Sequence, residues 1–303
     1  MKTVVPSYYH KFKCIADRCR HNCCIGWEID VDADTLQYYS SLTDELGERI
    51  MANISFIGEP HFCLAEGERC PMLNQNNLCD IISQLGEDAL CQICADHPRF
   101  RNCFDGVTET GLGLCCEAAA ELILGETEKV TLVETENDGE DDIPPEDAAF
   151  FELRERVLFV AQNRAYGFDE RVSQLKAMLE FDLPQKSARE WAEVFLSLER
   201  LDESWTQALT ALSESGDTVV NVDEICKEQL LVYFIFRHFS GALEDGLFEL
   251  RLAFAILSVH IICLVCAATG EDVAEVARMY SAEIEYSDEN IGVLLGVLDG
   301  AGE

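Results

Sequence analysis

The chain has 303 residues, with 22 basic against 57 acidic side chains, a net charge of −35 and 15 cysteines. The length predicts about two domains and is enough to bury a sizeable core. The charge argues against a nucleic-acid binder, which needs clustered Lys and Arg to neutralise phosphates, and against docking on an anionic membrane. It suits a basic substrate group such as a lysine side chain.

The first residues, Met1-Lys2-Thr3-Val4-Val5-Pro6, lead into Tyr8, Tyr9, His10 and Lys11 with no apolar run that would act as a secretory signal. The expected compartment is therefore the reducing cytoplasm, where dense cysteine reads as metal binding rather than as disulfides. The odd number of cysteines points the same way. Twelve of the 15 lie within the first 116 residues.

Residues 1–125 are expected to form an irregular, cysteine-rich metal or iron–sulfur domain. Short helices are predicted at 32–39, 42–51, 77–85, 87–94 and 116–124. The cysteines come in spaced groups: Cys14-x4-Cys19-x3-Cys23-Cys24, then Cys70-Pro71-x7-Cys79-x11-Cys91-x2-Cys94, then Cys115-Cys116. A Cys-x2-Cys pair lets two sulfurs reach one ion without strain. Adjacent cysteines point apart and suit two sites or a multi-iron cluster. Spacing leaves zinc and iron–sulfur both open, because each accepts four thiolates. The groups hold more thiols than one four-coordinate site needs. Either there are two sites, or some thiols are core or redox residues. Cys63, Cys103, Cys226, Cys263 and Cys266 fall outside the spaced groups and read as structural.

Residues 126–147 carry ten acids and one lysine, with Pro144-Pro145 near the end, and read as an acidic linker or loop. Residues 148–303 are expected to be an all-α helical domain, so the fold class is mainly α. Phe150, Leu153, Val157, Leu158 and Ala161 share one helical face, as do Val172, Leu175, Met178 and Leu179. Trp191, Val194, Phe195 and Leu198 form another such stripe, with Ser187 as N-cap and Glu190 as its capping-box partner. Residues 252–269 are 18 residues without a charge. That length is borderline for a membrane span, but Arg251 and Glu271 flank it among further acids with no positive bias to orient it, so it reads as a buried central helix. No Walker A sequence, no Gly-x-Gly-x-x-Gly, no His-Glu-x-x-His and no Cys-x3-Cys-x2-Cys loop is present; Gly111-Leu-Gly113 alone is weak.

Several blocks carry a closer likeness. Tyr8-Tyr9-x2-Phe12-x-Cys14-Ile15-Ala16-Asp17-x-Cys19-x3-Cys23-Cys24-x-Gly26-Trp27-x-Ile29 resembles the opening of the flagellin lysine-N-methylase family. Arg69-Cys70-Pro71-x-Leu73 with Asn77-Leu78-Cys79-Asp80-Ile81, and Leu85-Gly86-Glu87-x2-Leu90-Cys91-x2-Cys94-x2-His97-Pro98-Arg99, resemble its second and third blocks. Leu114-Cys115-x-Glu117-Ala118-Ala119 resembles the fourth. Glu228-Gln229-Leu230-x2-Tyr233-x3-Arg237-x-Phe239 is similar to a C-terminal helical motif.

The resemblance implies an iron–sulfur protein, 4Fe-4S with zinc as the alternative, that moves methyl groups from S-adenosylmethionine to lysines of flagellin or another protein. Carried over position by position, it implies a ligand pool of Cys14, Cys19, Cys23, Cys24, Cys70, Cys79, Cys91, Cys94 and Cys115. Cys116 stands where the family often has proline. A lysine must be neutral to attack a sulfonium methyl, so the site must desolvate the amine or supply a base. By proximity to these motifs, Tyr233 and Glu28 are the candidate catalytic groups, and Trp27 and Arg237 the candidate cofactor contacts, with Asp30 nearby. Each has a plainer reading: Trp27 as a core aromatic beside the metal, and Tyr233 and Arg237 as helix packing. His97-Pro98-Arg99 reads as a turn fixing the ligand loop, and Glu117 as a first-turn helix charge. The alternative function is a non-catalytic metal or iron–sulfur module whose helical domain binds a protein partner.

Overall fold

The computed structural model describes residues 2–137, 143–216 and 222–300. It divides into two compact units, residues 13–99 and residues 1–12 together with 100–303. The protein is mainly helical, with a smaller content of sheet.

The chain opens with strand β1 (Lys2–Pro6) and then leaves for the cysteine-rich unit. There it forms α1 (Ala33–Ser41), α2 (Glu45–Ala52), the two-residue strands β2 (Ile54–Ser55) and β3 (His61–Phe62), α3 (Asp80–Leu85) and α4 (Gln92–Asp96). The helix predicted over 77–85 starts later, at Asp80, and the one predicted over 87–94 is split into a 3-10 turn at Glu87–Ala89 and α4; α3 and α4 each begin just after a cysteine. Asp32 starts α1 by accepting the Thr35 amide at 3.0 Å, and Asp44 starts α2 by accepting that of Gly47 at 2.8 Å. The core of this unit is small: Ile29, Val31, Tyr39, Leu46, Ile50, Phe62, Met72 and Ile81 are its buried apolar side chains besides Ile54, Ala89 and the thiols.

The second unit contains β4 (Arg99–Phe104, beginning on the last residue of the cysteine-rich unit), β5 (Val107–Leu112), α5 (Glu117–Leu124) and β6 (Leu132–Asn137). Its helices follow as α6 (Pro145–Ala161), α7 (Phe168–Leu179), α8 (Ala188–Ser197), α9 (Glu203–Glu214), α10 (Glu224–His238) and α11 (Ala242–Asp245). The last are α12 (Phe248–Thr269), α13 (Val273–Tyr280), a single wide π turn at Ser281–Glu285, and α14 (Asp288–Leu298). The strands form one sheet in the order β4-β5-β1-β6. β1 runs parallel to β5, pairing Lys2 with Val107, and antiparallel to β6, pairing Pro6 with Leu132. Parallel neighbours need a long crossover. Here the cysteine-rich unit is inserted between them.

This sheet differs from the expected layout in three ways. The helical unit is not all-α. The division does not fall after residue 125. The acidic stretch is partly a sheet edge. The reason lies in long-range pairing. β6 places its charges on an edge strand, where they discourage further strand addition, and Glu134 pairs with Lys2 at 2.7 Å. The stretch before it is stitched down by two glutamines. Gln229 donates to the Glu126 and Glu128 carbonyls at 3.0 and 2.9 Å, and Gln162 bonds both backbone groups of Val130. Residues 138–142 of the expected linker lie outside the described residues.

The helical expectations are met. Ser187 and Glu190 form the reciprocal capping box that starts α8. α12 is long and apolar enough to cross a membrane, but its most apolar window is 78% buried inside the protein. Cys263 and Cys266 lie in it as core. α10 is the other central helix, with every residue from 228 to 238 buried. Gly111 is explained by packing: a Cβ there would fall 2.2 Å from the Phe100 ring.

Several buried charges in this unit are paired. Glu109 of β5 meets Arg154 of α6, with Arg154 Nη1 donating to Oε2 at 2.7 Å, and the guanidinium lies 5.2 Å from the Phe150 ring centre. Replacing Arg154 alone, as Arg154→Met, should lower stability by roughly 3–5 kcal/mol because it strands the Glu109 charge. The double variant Glu109→Leu/Arg154→Met should recover most of that loss. Urea unfolding midpoints decide the matter, and a double variant no more stable than the single one would contradict it.

Candidate functional site

The cysteine-rich unit brings six thiols from three segments into one neighbourhood. The Cys70 amide donates to the Cys24 carbonyl at 2.8 Å, which joins the first segment to the second. The Asn22 side chain accepts the Cys24 amide at 2.9 Å and fixes that corner. Cys79 stands immediately before α3, where the amides of Ile81 and Ile82 reach its sulfur. Cys91 stands immediately before α4, and Cys94 lies one turn inside it.

The thiols feel one another. A hydrogen bond to Cys24 brings Cys23 down to about 7, and the same pairing drives Cys24 up, reinforced by burial and by Cys70 and Cys79. Cys91 is held below the ordinary thiol value by its bond to Cys94, which is driven up in turn and also senses Cys24 and Cys70. Burial, then Cys79 and Cys91, pushes Cys70 to about 11. Burial likewise raises Cys79. Cys91 is 1% exposed, with the Tyr39 hydroxyl 3.8 Å away.

Second contacts hold these cysteines in place. Asp32 accepts the Gln92 amide at 2.8 Å as well as that of Thr35, so one carboxylate caps both α1 and α4. Burial alone would raise its pKa, but those amide bonds hold it below the usual carboxylate value. Asn74 donates to Asp80 at 2.8 Å, and Arg49 pairs with the same carboxylate at 2.5 Å, which anchors the loop carrying Cys79.

The other expected ligands are Cys14 and Cys19 of the same unit and Cys115. Cys14 and Cys19 flank a tight turn at Ala16–Arg18; the Cys14 sulfur accepts the Ala16 amide, and the Cys19 thiol donates to the His21 carbonyl. Cys115 belongs to the helical unit. Among the described residues, no three His, Cys, Asp or Glu side chains are set to hold a metal ion as they stand. The donor set itself is all thiol, which suits zinc or iron–sulfur and not a hard cation.

The candidate reaction groups divide between the two units. Trp27 donates from its indole to the Cys23 carbonyl and lies 6.2 Å from the His97 ring. Glu28 is exposed, with His61 at 3.6 Å. Asp30 lines an open groove of about 460 Å³ with Asp32, Glu59, Gln92 and Asp96.

Tyr233 and Arg237 lie one turn apart on α10 and share a buried carboxylate, Glu285. The Tyr233 hydroxyl donates to Glu285 at 3.0 Å and accepts from Arg237 Nη1 at 2.9 Å and from the Leu114 amide at 3.2 Å. Arg237 Nε lies 3.1 Å from Glu285 Oε2, and His238 Nε2 lies 2.6 Å from it. The guanidinium is sandwiched between Phe100 and Tyr286, at 4.7 and 4.6 Å from the ring centres. Cys115 donates to the Tyr286 hydroxyl at 3.1 Å. Burial would raise Glu285, but Arg237 and then His238 hold it below the ordinary carboxylate value. Burial pushes the Tyr233 phenol well up and the His238 imidazole down. Glu285, His238 and Tyr286 were not anticipated from sequence. The signal was weak: one glutamate among several in Glu283-Ile284-Glu285, and a histidine beside Arg237.

Comparison with known proteins follows this geometry. The chain is similar to the lysine-N-methylases. It is 29% identical over 137 residues to a protein named Lysine-N-methylase from Salmonella typhimurium, a match covering 43% of this chain and 34% of that protein. The Salmonella choleraesuis protein of the same name matches to the same extent. Flagellar biosynthetic protein FliU of Salmonella muenchen is 28% identical over 137 residues, 80% of its length. The chain thus spans about a third of the length of the lysine-N-methylases it matches. No family profile and no solved structure matches it.

Capping by Asp32 predicts a pH-dependent stability. Asp32→Ala should cost about 1–2 kcal/mol at neutral pH, since two helix starts lose their acceptor. The folded pKa lies below the unfolded value of about 3.9, so the contribution is full above that value and fades as pH falls through the folded one. Melting temperatures of wild type and variant should therefore converge in acid; a gap that stays constant down to pH of about 3 rules out the carboxylate as its origin.

Proposed function

We propose that this protein is a protein-lysine N-methyltransferase of the cytoplasm, using S-adenosylmethionine to methylate flagellin or another protein with accessible lysines. In this reading it carries an iron–sulfur cluster on its cysteine-rich unit. The observation that carries the proposal is the convergence of Cys23, Cys24, Cys70, Cys79, Cys91 and Cys94 from three separate segments. Those are the blocks that resemble the flagellin lysine-N-methylases, and relatives named Lysine-N-methylase match this chain.

These six thiols are the residues that would hold the cluster, with Cys14 and Cys19 on the flanking turn as further donors. Bound there, it supplies cross-links among segments whose own apolar core is small. Methyl transfer forms a nitrogen–carbon bond and breaks a carbon–sulfur bond, with the electron pair staying on sulfur. The ammonium proton must leave first. In this reading the proton and the sulfonium cofactor are served within one unit, either by Tyr233 and Arg237 of the helical unit or by Glu28 and Trp27 of the cysteine-rich unit.

Protein purified without oxygen should be brown and should move label from S-adenosylmethionine to lysines of flagellin. Cys70→Ser and Cys91→Ser should lose roughly 10–100-fold in metal affinity, whereas Cys263→Ser should keep its metal. Intact cluster with no label transfer would sink the methyltransferase reading. A colourless protein with stoichiometric zinc would replace iron–sulfur by zinc.

A further inference from the structure

The helical unit contains a hub that the motif comparison did not single out. Glu285 receives three different donors, the Tyr233 hydroxyl, Arg237 Nε and His238 Nε2, at 3.0, 3.1 and 2.6 Å. All three donors come from one helix, α10, within six residues. The acceptor comes from the wide turn Ser281–Glu285 that follows α13. Such turns are rare and frequently lie at functional sites.

The network has a buried end and an open end. Tyr233 is 1% exposed, whereas the ring of Tyr286, next to Glu285 in sequence, is 56% exposed. Between them lies Arg237, whose guanidinium lies against both the Phe100 and the Tyr286 rings. The Tyr286 hydroxyl is held by Cys115 from the segment just before α5. A planar guanidinium fixed by stacking and by a carboxylate has little freedom left. Removing the carboxylate leaves Arg237, Tyr233 and His238 without their common partner at once.

We propose that Glu285 is the positioning residue of this site, fixing Tyr233 and Arg237 for methyl transfer and setting the chain of contacts that runs from buried Arg237 through exposed Tyr286 to half-buried Cys115. The proposal rests on the methyltransferase reading for its catalytic part. Its structural part, the control of Tyr286 and Cys115, stands independently of it.

Two measurements on the full chain with its cluster loaded test it. In the first, Glu285→Gln and Tyr233→Phe each lower kcat for flagellin methylation by roughly 10–100-fold, with KM for flagellin nearly unchanged. The double variant is no worse than the poorer single one, because both act on one unit. Multiplied losses, or an unchanged kcat in Glu285→Gln, overturn the positioning role. A wild type that transfers no methyl at all refutes the methyltransferase reading instead.

The second measurement then decides the inference alone. Alkylation of Cys115 by iodoacetamide, read by peptide mass mapping, should be about tenfold faster in Glu285→Gln than in wild type, at equal metal content and similar melting temperature. Glu285→Asp, which keeps the charge, should restore much of the protection. An unchanged Cys115 rate in Glu285→Gln overturns the proposal whatever the activity shows.

Discussion

A carboxylate buried without hydrogen-bond donors or a counter-charge is costly, and this constraint organises the helical unit. The chain has 57 acids and only 22 bases, so bases are scarce. Arginines are placed where acids are buried. Arg154 meets Glu109, Arg171 and Arg164 meet Glu228, and Arg237 meets Glu285. Each pair ties two elements that are distant in sequence: β5 to α6, α7 to α10, and α10 to the turn after α13. Most of the remaining negative charge stays on the surface. The net charge of −35 is therefore a surface property, and the interior is close to balanced.

The cysteine-rich unit solves a different problem. Its buried apolar set is small and its helices are short, of five to nine residues. Helices of that length are marginal alone. Capping by Asp32 and Asp44, the Asn74–Asp80–Arg49 anchor and the Tyr39 bond to the Ala89 carbonyl at 2.7 Å supply local order. Apart from the Asp44 cap, these contacts fix backbone near Cys79 and Cys91. Thiols ordered in one neighbourhood on a small apolar core suit a thiophilic centre that would cross-link their segments.

Legibility followed the range of the interactions. The capping box at Ser187 and Glu190 lies within four residues and was readable, as was the burial of α12 from its lack of charge. The sheet was not readable. β1 is five residues long, and its partners begin at Val107 and Leu132, so no local pattern announces it. The acidity of residues 126–147 suggested a linker because composition registers charge and not pairing. An edge strand tolerates that charge on its solvent face. The cysteine groups were legible as groups, but spacing could not show that Cys115 would join the helical unit. Of the polar cluster, Tyr233 and Arg237 were found through their motif, while Glu285 was hidden because a lone acid in an acidic sequence carries no signal.

Glu283 and Glu285 show how local geometry assigns different states to neighbouring acids. At about 100° per residue, positions two apart on a helix face nearly opposite sides. Both are buried, so the segment must be covered on both faces. On one face Glu283 meets only backbone, accepting the amides of Leu201 and Asp202 at 2.9 and 2.7 Å at the start of α9, and burial raises its pKa. On the other face Glu285 meets Arg237 and His238 and is held low. Two adjacent carboxylates with opposed shifts have distinct duties. Glu283 is satisfied by neutral donors and secures the packing of α9. Glu285 stays charged, and the cations of α10 are ordered around it.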